Sequence, residues 1–292
     1  MTDTMQVVQH SEHTLKTALI SKNPVLVSQY EKLTVGEQRL MNEAFQPTSE
    51  LFRPITVYSQ SDWITSHPEA PQDFEKFFSD PYRKAPTPEK NNIYIHLPSH
   101  GSLGNSRVIS EEYVKWLKGY CEAFFYGLTV KFLEPVSISA TKCSFRKKKP
   151  EDAFCVVGIT MIDLYPRDSW NFVFGQASLT EGVGIFSFAR YGKDFHSSCY
   201  KGTVTKAQRT SSSEYPIFDN YYIPEITSVL LLRSCKTLTR EIGHIFGLRH
   251  SDRRPLNLCP ICLRKLQCAL GFDIVERYKC SEPRKDMPLQ LP

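Results

Sequence analysis

The chain has 292 residues and a net charge of +5, from 36 basic and 31 acidic side chains. Hydrophobic residues make up 41% and charged residues 23%, which excludes a wholly disordered chain, a collagen and a coiled-coil rod. The net charge is too weak to argue for nucleic acid binding. The longest aliphatic run, Val229–Leu232, is far shorter than the roughly 20 apolar residues of a membrane-spanning helix. We therefore expect one or two folded domains that bind neither nucleic acid nor membrane.

The cysteines and the polar beginning of the chain favour a reducing compartment. There are nine cysteines, an odd number, and no apolar leader segment precedes the first predicted element. Disulfides are rare in the cytosol and nucleus, where thiols stay reduced. We expect a cytoplasmic or nuclear protein that is not secreted.

Residues 1–90 are predicted to form an N-terminal region of helices and irregular chain. A helical pattern runs from Thr34 to Phe45, with apolar residues at helical spacing. Seven prolines between residues 47 and 88 then favour loops and short elements. The last residues, 281–292, are predicted to be a disordered tail.

The pattern changes to alternating strands and helices from residue 91 onward. Strands are predicted at Ile93–Leu97, Leu128–Leu133 and Ala153–Met161, a helix at Ser110–Tyr126, and hairpin strands near a sheet edge at Asn171–Gly175 and Gly184–Phe188. A long helix follows Pro224 and ends at Gly247. This order predicts an α/β domain over residues 91–280, with a mixed sheet and a long helix, preceded by the helical and loop-rich region.

The most informative segment lies at the end of that long helix, between Thr239 and Ser251. Glu241 and His244 are three residues apart and share a helix face, and Arg240 lies four residues before His244. Gly247 allows a sharp turn, and His250 follows three residues later. This is the frame H-E-x-x-H-x-x-G-x-x-H of the metzincins, with its first position changed.

The downstream Cys259-Pro-Ile-Cys262 and several long blocks narrow the match. With TLTREIGHIFGLRH, FCVVGITMIDLYPRDSWNFVFGQASL and GVGIFSFARY as they stand here, the chain resembles the archaemetzincin (archaelysin) family of zinc metallopeptidases over roughly residues 90–280. The resemblance implies a metzincin-like α/β fold, two zinc ions and aminopeptidase-type cleavage of peptides. It further implies that Glu241 is the general base, that His244 and His250 bind the catalytic zinc, and that Cys259 and Cys262 are half of a four-cysteine structural zinc site.

Arg240 stands where the family has its first zinc-binding histidine. A zinc ligand must offer a lone pair, whereas a guanidinium has five donors, no acceptor and a permanent charge. A unit charge about 4 Å from a divalent ion is repelled by roughly 8 kcal/mol at an effective dielectric near 20. We expect a degraded catalytic site with little or no peptidase activity.

The structural zinc site also departs from the family pattern. Ser251 replaces a cysteine, and a C-x-M segment is absent, since residues 252–258 lead directly to Cys259. Cys268 and Cys280 are the remaining candidates for a four-cysteine set, at a different spacing, and His250 is a further candidate ligand. Plain thiols are an equal alternative for Cys259 and Cys262.

Three functional classes remain open. The first is a damaged archaemetzincin-type peptidase with residual activity on peptide substrates. The second is a pseudoenzyme that binds a peptide ligand by strand addition, with Gly184–Phe188 as the expected edge strand. The third is a relative that does not fold stably without the missing segment. The sequence does not specify the substrate or the oligomeric state.

Overall fold

The computed structural model describes residues 6–7, 10–46, 48–52, 56–57, 71–98, 111–136, 149–160, 164, 173–191, 227–249 and 258–281. Eight α-helices lie within these ranges: α1 (Glu12–Leu19), α2 (Pro24–Glu31), α3 (Val35–Asn42), α4 (Phe74–Phe78), α5 (Glu111–Phe124), α6 (Ser228–Ile245), α7 (Pro260–Leu270) and α8 (Ile274–Ser281). Seven strands accompany them: β1 (Gln6–Val7), β2 (Thr56–Val57), β3 (Asn92–Pro98), β4 (Thr129–Val136), β5 (Ala153–Thr160), β6 (Gly175–Ser178) and β7 (Val183–Ser187).

The chain divides into two compact units. The first is drawn from Met1–Ala85 and Phe246–Glu282, and the second from Pro86–Ile245 and Pro283–Pro292. The first unit therefore combines helices from both ends of the described chain, whereas the second contains the larger sheet. The domain limits predicted at residues 90 and 280 stay a prediction, and residues 282–292 of the predicted tail lie outside the described residues.

The second unit is built on a five-stranded sheet with the order β4-β3-β5-β7-β6. Strands β4, β3, β5 and β7 are parallel, and β6 pairs antiparallel with β7. All eight residues of β5 are buried, as expected for a central strand covered on both faces. Helices α5 and α6 contact each other, and α6 also contacts β5, β6 and β7. The predicted mixed α/β sheet and its long helix are confirmed.

The first unit consists mainly of short helices with side-chain caps. Thr34 and Glu37 form a capping box at the start of α3, which the sequence predicted as a helix over Thr34–Phe45. Helix α7 contacts α1 and α4, and α8 contacts α3. Phe74 and Phe77 of α4 are fully buried in this packing. Helices α7 and α8 were not predicted, although Pro260 at a first helical position and Gly271 after Leu270 are typical start and stop signals.

The prediction that Gly184–Phe188 is an edge strand is wrong. The hairpin exists, but its first strand is Gly175–Ser178, and residues 171–172 of the predicted strand lie outside the described residues. Strand β7, which holds most of Gly184–Phe188, is hydrogen-bonded to β5 on one side and to β6 on the other. Its backbone groups are already paired, so it cannot accept an added strand; within the described sheet, the edges are β4 and β6.

Among the described residues, no helix has the length and apolar character required to cross a membrane.

Candidate active site

Helix α6 carries the candidate catalytic residues and is fixed in the second unit by buried polar contacts. The Tyr113 hydroxyl of α5 donates a hydrogen bond to Ser234 Oγ at 2.8 Å. A second buried contact joins the Tyr191 hydroxyl to Thr237 Oγ1. Buried hydroxyl pairs of this kind fix the rotation of a helix, because any turn about its axis would leave their polar atoms unpaired. The face that bears Arg240, Glu241 and His244 is therefore set by the core.

Arg240 and His244 contact each other directly. Arg240 Nε donates a hydrogen bond to His244 Nε2, with 3.3 Å between the two nitrogens. An acceptor in such a bond is a ring nitrogen that uses its lone pair for the contact. Arg240 thus approaches the same kind of nitrogen that would bind a metal ion.

Glu241 is buried, with 7% of its surface exposed. Its side chain packs against the edge strand β6 at Gly175. A Cβ placed on Gly175 would lie 3.1 Å from both Cγ and Cδ of Glu241 and 3.0 Å from Phe186 Cβ. A side chain at this position would require Glu241 or Phe186 to move by a few tenths of an ångström, so Gly175 lets the Glu241 carboxyl lie close to the strand.

The turn after α6 lies in the first unit and is held by Gln72. Gly247 has a φ of +87°, the left-handed conformation that favours glycine at a helix end. Gln72 Nε2 donates to the Gly247 carbonyl at 3.1 Å, and the Arg249 N–H donates to Gln72 Oε1 at 3.0 Å. The buried Lys265 ammonium also donates to Gln72 Oε1 at 3.0 Å. We call Gln72 and Lys265 the Gln72 clamp. His250, the next residue, lies outside the described residues.

Cys259 and Cys262 occupy the start of α7. Cys259 is the N-cap residue, with an extended backbone, and its Sγ accepts a hydrogen bond from the Cys262 N–H at 3.4 Å. Pro260 follows at the first helical position. The Cys262 side chain is 5% exposed, and Cys259 is partly exposed. Neither forms a disulfide with another described cysteine. Cys259 has a structural role as a helix cap that the sequence did not predict.

The other two candidate cysteines lie further along the chain of the first unit. Cys268 is half-buried on α7, and Cys280 is exposed on α8. Burial raises the pKa of the Cys268 thiol, and the nearby Arg83 and Arg264 guanidinium groups oppose this. In the part of the chain that the structure describes, no three His, Cys, Asp or Glu side chains form a group that could hold a metal ion.

Comparison with known proteins identifies the family. The proteins named archaemetzincin-2 from Homo sapiens and Mus musculus are 72% and 73% identical to this chain. Each alignment runs over 311 positions and covers 94% of the chain and 86% of the relative.

The chain belongs to the archaemetzincin family. Because the alignments exceed the 292 residues of the whole chain by 19 positions, each of these relatives has at least 19 internal residues without a counterpart here. No family model matches the chain. A crystal structure of an archaemetzincin from Archaeoglobus fulgidus, complexed with malonate, is 20% identical with a TM-score of 0.37 and covers 60% of this chain and 99% of its own.

The residues on α6 do not fit the three-histidine zinc site that the archaemetzincin resemblance implies. The position of the first ligand holds a cation without a lone pair, and that cation is hydrogen-bonded to His244, which the resemblance implies as the second ligand. The two contributions that the sequence did not reveal are Gly175 and Gln72. A glycine in the predicted hairpin was the only available signal for Gly175, and no signal near the motif pointed to Gln72.

Proposed function

We propose that this archaemetzincin keeps the family scaffold but hydrolyses peptides weakly or not at all, because its catalytic zinc site is degraded. The observation that carries the proposal is the 3.3 Å contact from Arg240 Nε to His244 Nε2. An imidazole nitrogen that accepts this hydrogen bond has no second lone pair with which to bind zinc. The positive guanidinium beside it also repels a divalent cation.

The proposal extends to the structural zinc site, which we take to be lost. Closed structural sites use four ligands in tetrahedral geometry. The chain supplies Cys259 and Cys262, whereas Ser251 replaces a family cysteine. The Cys259 sulfur is engaged as the cap of α7, which gives the pair a role that does not require a metal.

The decisive test is Arg240→His, with zinc content and hydrolysis of fluorogenic peptides measured before and after. The unaltered chain should contain no zinc at the catalytic site and show background hydrolysis. The variant should gain zinc and measurable turnover, because an electron-pair donor then stands at the first ligand position. Stoichiometric zinc and efficient hydrolysis in the unaltered chain would overturn the proposal.

Two matched variants separate charge from ligation. Arg240→Gln removes the positive charge without adding an imidazole, so we expect neither zinc nor hydrolysis to appear. The double change of Arg240→His and Glu241→Gln should bind zinc as the single variant does, yet lose turnover, because a neutral amide cannot act as a general base. If Arg240→His gains nothing, the defect lies elsewhere, and the segment missing after residue 250 is the next candidate.

A second candidate function is the binding of peptide ligands without hydrolysis. The supporting observation is that β6 ends the described sheet and lies against Glu241 through Gly175. An extended peptide can add to such an edge by main-chain hydrogen bonds. We expect fluorescent peptides of mixed sequence to bind to the chain and to be recovered with their mass unchanged. Ala177→Pro in β6 should weaken this binding. Thr180→Pro, in the adjacent turn, serves as the control. Equal binding by both variants would exclude β6.

We further infer a cytoplasmic or nuclear location. None of the seven cysteines within the described residues forms a disulfide with another of them. That state is the usual one where glutathione and thioredoxin keep cysteines reduced. Microscopy of the tagged full chain tests the location.

A further inference from the structure

The outward face of α6 carries a short row of basic and apolar residues. Val229, Arg233 and Lys236 follow one another at intervals of four and three residues, so they share one face of the helix. Val229 is 42% exposed, Arg233 is exposed and Lys236 is half-buried. We call these three residues the α6 stripe. The same face continues one turn later to Arg240 of the candidate active site.

The two cations of the α6 stripe have no anionic partner among the described residues. The Arg233 guanidinium is held in place, because its Nη1 donates a hydrogen bond to the Tyr191 carbonyl at 3.2 Å. Within the described ranges, no carboxylate forms an ion pair with Arg233 or Lys236. Two neighbouring positive charges on one helix face therefore stand without a compensating negative charge in this part of the chain.

The environment of Lys236 reflects this excess of positive charge. Burial lowers the pKa of the Lys236 ammonium from its ordinary value of 10.5, and the positive charge of Arg233 lowers it further. An anionic group bound at the α6 stripe would interact favourably with both cations. Because Lys236 is half-buried, water and salt screen that interaction less than they would at a fully exposed lysine.

We propose that the α6 stripe is a docking surface for an acidic peptide segment of a partner protein. In an extended peptide, side chains two residues apart point to the same side and are separated by roughly 6.6 Å. The Cβ atoms of Arg233 and Lys236, three apart inside a helix, are about 5–6 Å apart. Carboxylates at alternate positions of the peptide therefore match the two cations. The exposed Val229 provides an apolar contact beside them.

The composition of the α6 stripe favours a peptide over a nucleic acid. Proteins that bind single-stranded nucleic acid combine a positively charged groove with aromatic side chains on which the bases stack. The stripe has two cations, one valine and no aromatic side chain. It also differs from the β6 edge considered above, and it requires neither zinc nor hydrolysis.

The test measures binding of labelled peptides to the full chain by fluorescence anisotropy. The probe has glutamate at two alternate positions, a leucine two positions further on and an uncharged fluorophore. Two comparison peptides carry glutamine or lysine in place of the glutamates. We expect the glutamate peptide to bind most tightly and to bind more weakly as sodium chloride is added, because added salt screens exposed charges.

Single substitutions assign the binding to the α6 stripe. Arg233→Gln or Lys236→Gln should each weaken binding of the glutamate peptide by about twofold to fivefold, as expected for the loss of one ion pair near the surface. The double variant should weaken it by about tenfold. Lys115→Gln, at an exposed position of α5, changes the net charge equally and should leave binding unchanged. Glutamine favours helix formation, and circular dichroism verifies that each variant is folded.

Charge reversal gives a readout that a loss of folding cannot produce. The chain with Arg233→Glu and Lys236→Glu should lose the glutamate peptide and gain the lysine peptide. The proposal is overturned if the glutamate and glutamine peptides bind equally well, or if Lys115→Gln weakens binding as much as Lys236→Gln. Tighter binding of an oligothymidylate through Arg233 and Lys236 would also overturn it. Zinc content and hydrolysis of Arg240→His do not report on this surface, so the two proposals can fail separately.

Discussion

At the scale of single residues, the candidate site is decided by which atoms can donate an electron pair. Arg240 and His244 lie on one helix face, and a hydrogen bond from Nε to Nε2 joins them. Replacement of a histidine by an arginine at this position removes one metal-binding lone pair and directs a donor towards a second. Glu241 lies buried against Gly175.

Burial controls the charge state of the core thiols as well. Burial raises the pKa of the Cys155 thiol to about 12, from an ordinary value of 9.0, with a small opposing effect of Lys149. A group whose pKa is raised on folding contributes stability below its unfolded pKa and loses it as the pH rises towards the folded value. The protonated Cys155 thiol should therefore make its full contribution to the free energy of unfolding at neutral pH. That contribution should shrink as the pH rises above about 9.

Replacing this thiol tests the sign of that effect. Cys155→Ala should cost about 1–2 kcal/mol at neutral pH through lost packing in β5. The melting temperature of the variant should then fall less steeply than that of the unaltered chain between about pH 8.5 and pH 10.5. Thermal melts followed by circular dichroism across this range provide the measurement. Parallel curves would mean that the thiol is as accessible in the folded chain as in the unfolded one.

At the scale of elements, the turn after α6 depends on a residue far away in the sequence. The Gln72 side chain donates a hydrogen bond to the Gly247 carbonyl and accepts one from the Arg249 N–H. Its amide therefore pairs with two backbone groups of the turn, as the backbone of a neighbouring strand would. Lys265, which is 1% exposed, adds a charge-assisted hydrogen bond to the same amide oxygen. The path of the chain towards His250 is therefore set by the Gln72 clamp and by the left-handed Gly247.

Gln72→Ala should destabilise the first unit by about 1–3 kcal/mol, because it removes the side-chain partner of two backbone groups and one acceptor of the buried Lys265, which keeps the Gln72 backbone carbonyl. Gln72→Glu is the matched variant: its carboxylate can still accept from Arg249 and Lys265 but cannot donate to Gly247. We expect hydrogen exchange of the Arg249 amide to accelerate strongly in Gln72→Ala and much less in Gln72→Glu. Equal protection in all three proteins would show that the clamp does not hold the turn.

At the scale of the whole molecule, a bound metal would add to the stability of the fold. A ligand that binds only the folded state raises the free energy of unfolding in proportion to the logarithm of its concentration over its dissociation constant. Structural zinc sites contribute strongly to folding in this way. Loss of both zinc sites would leave the chain dependent on its apolar cores and its helix caps.

The melting temperature of the unaltered chain should consequently be insensitive to metal. We expect added EDTA or added zinc to shift the transition by no more than about 1 °C, since a ligand that does not bind the folded state cannot stabilise it. Arg240→His should show a higher transition with zinc than with EDTA. A fall of several degrees when EDTA is added to the unaltered chain would establish a bound structural metal. A broad transition at every metal concentration would support the third functional class, a chain that does not fold stably.

The sequence alone determined those features that depend on neighbours along the chain. The spacing of apolar residues predicted α3, α5, α6 and the central strands. The presence of arginine at position 240 means that this side chain has no lone pair for a metal ion, whatever the fold. These effects act within one or two helical turns, where spacing fixes which side chains meet. The mixed sheet followed from the order of the predicted elements.

Only the tertiary structure decided the contacts between distant segments. It gave β7 two partners and left β6 at the edge of the described sheet, and it placed Gln72 on a turn 175 residues later. Such choices depend on which packing leaves the fewest buried polar groups unpaired, and that balance is made by the folded chain as a whole.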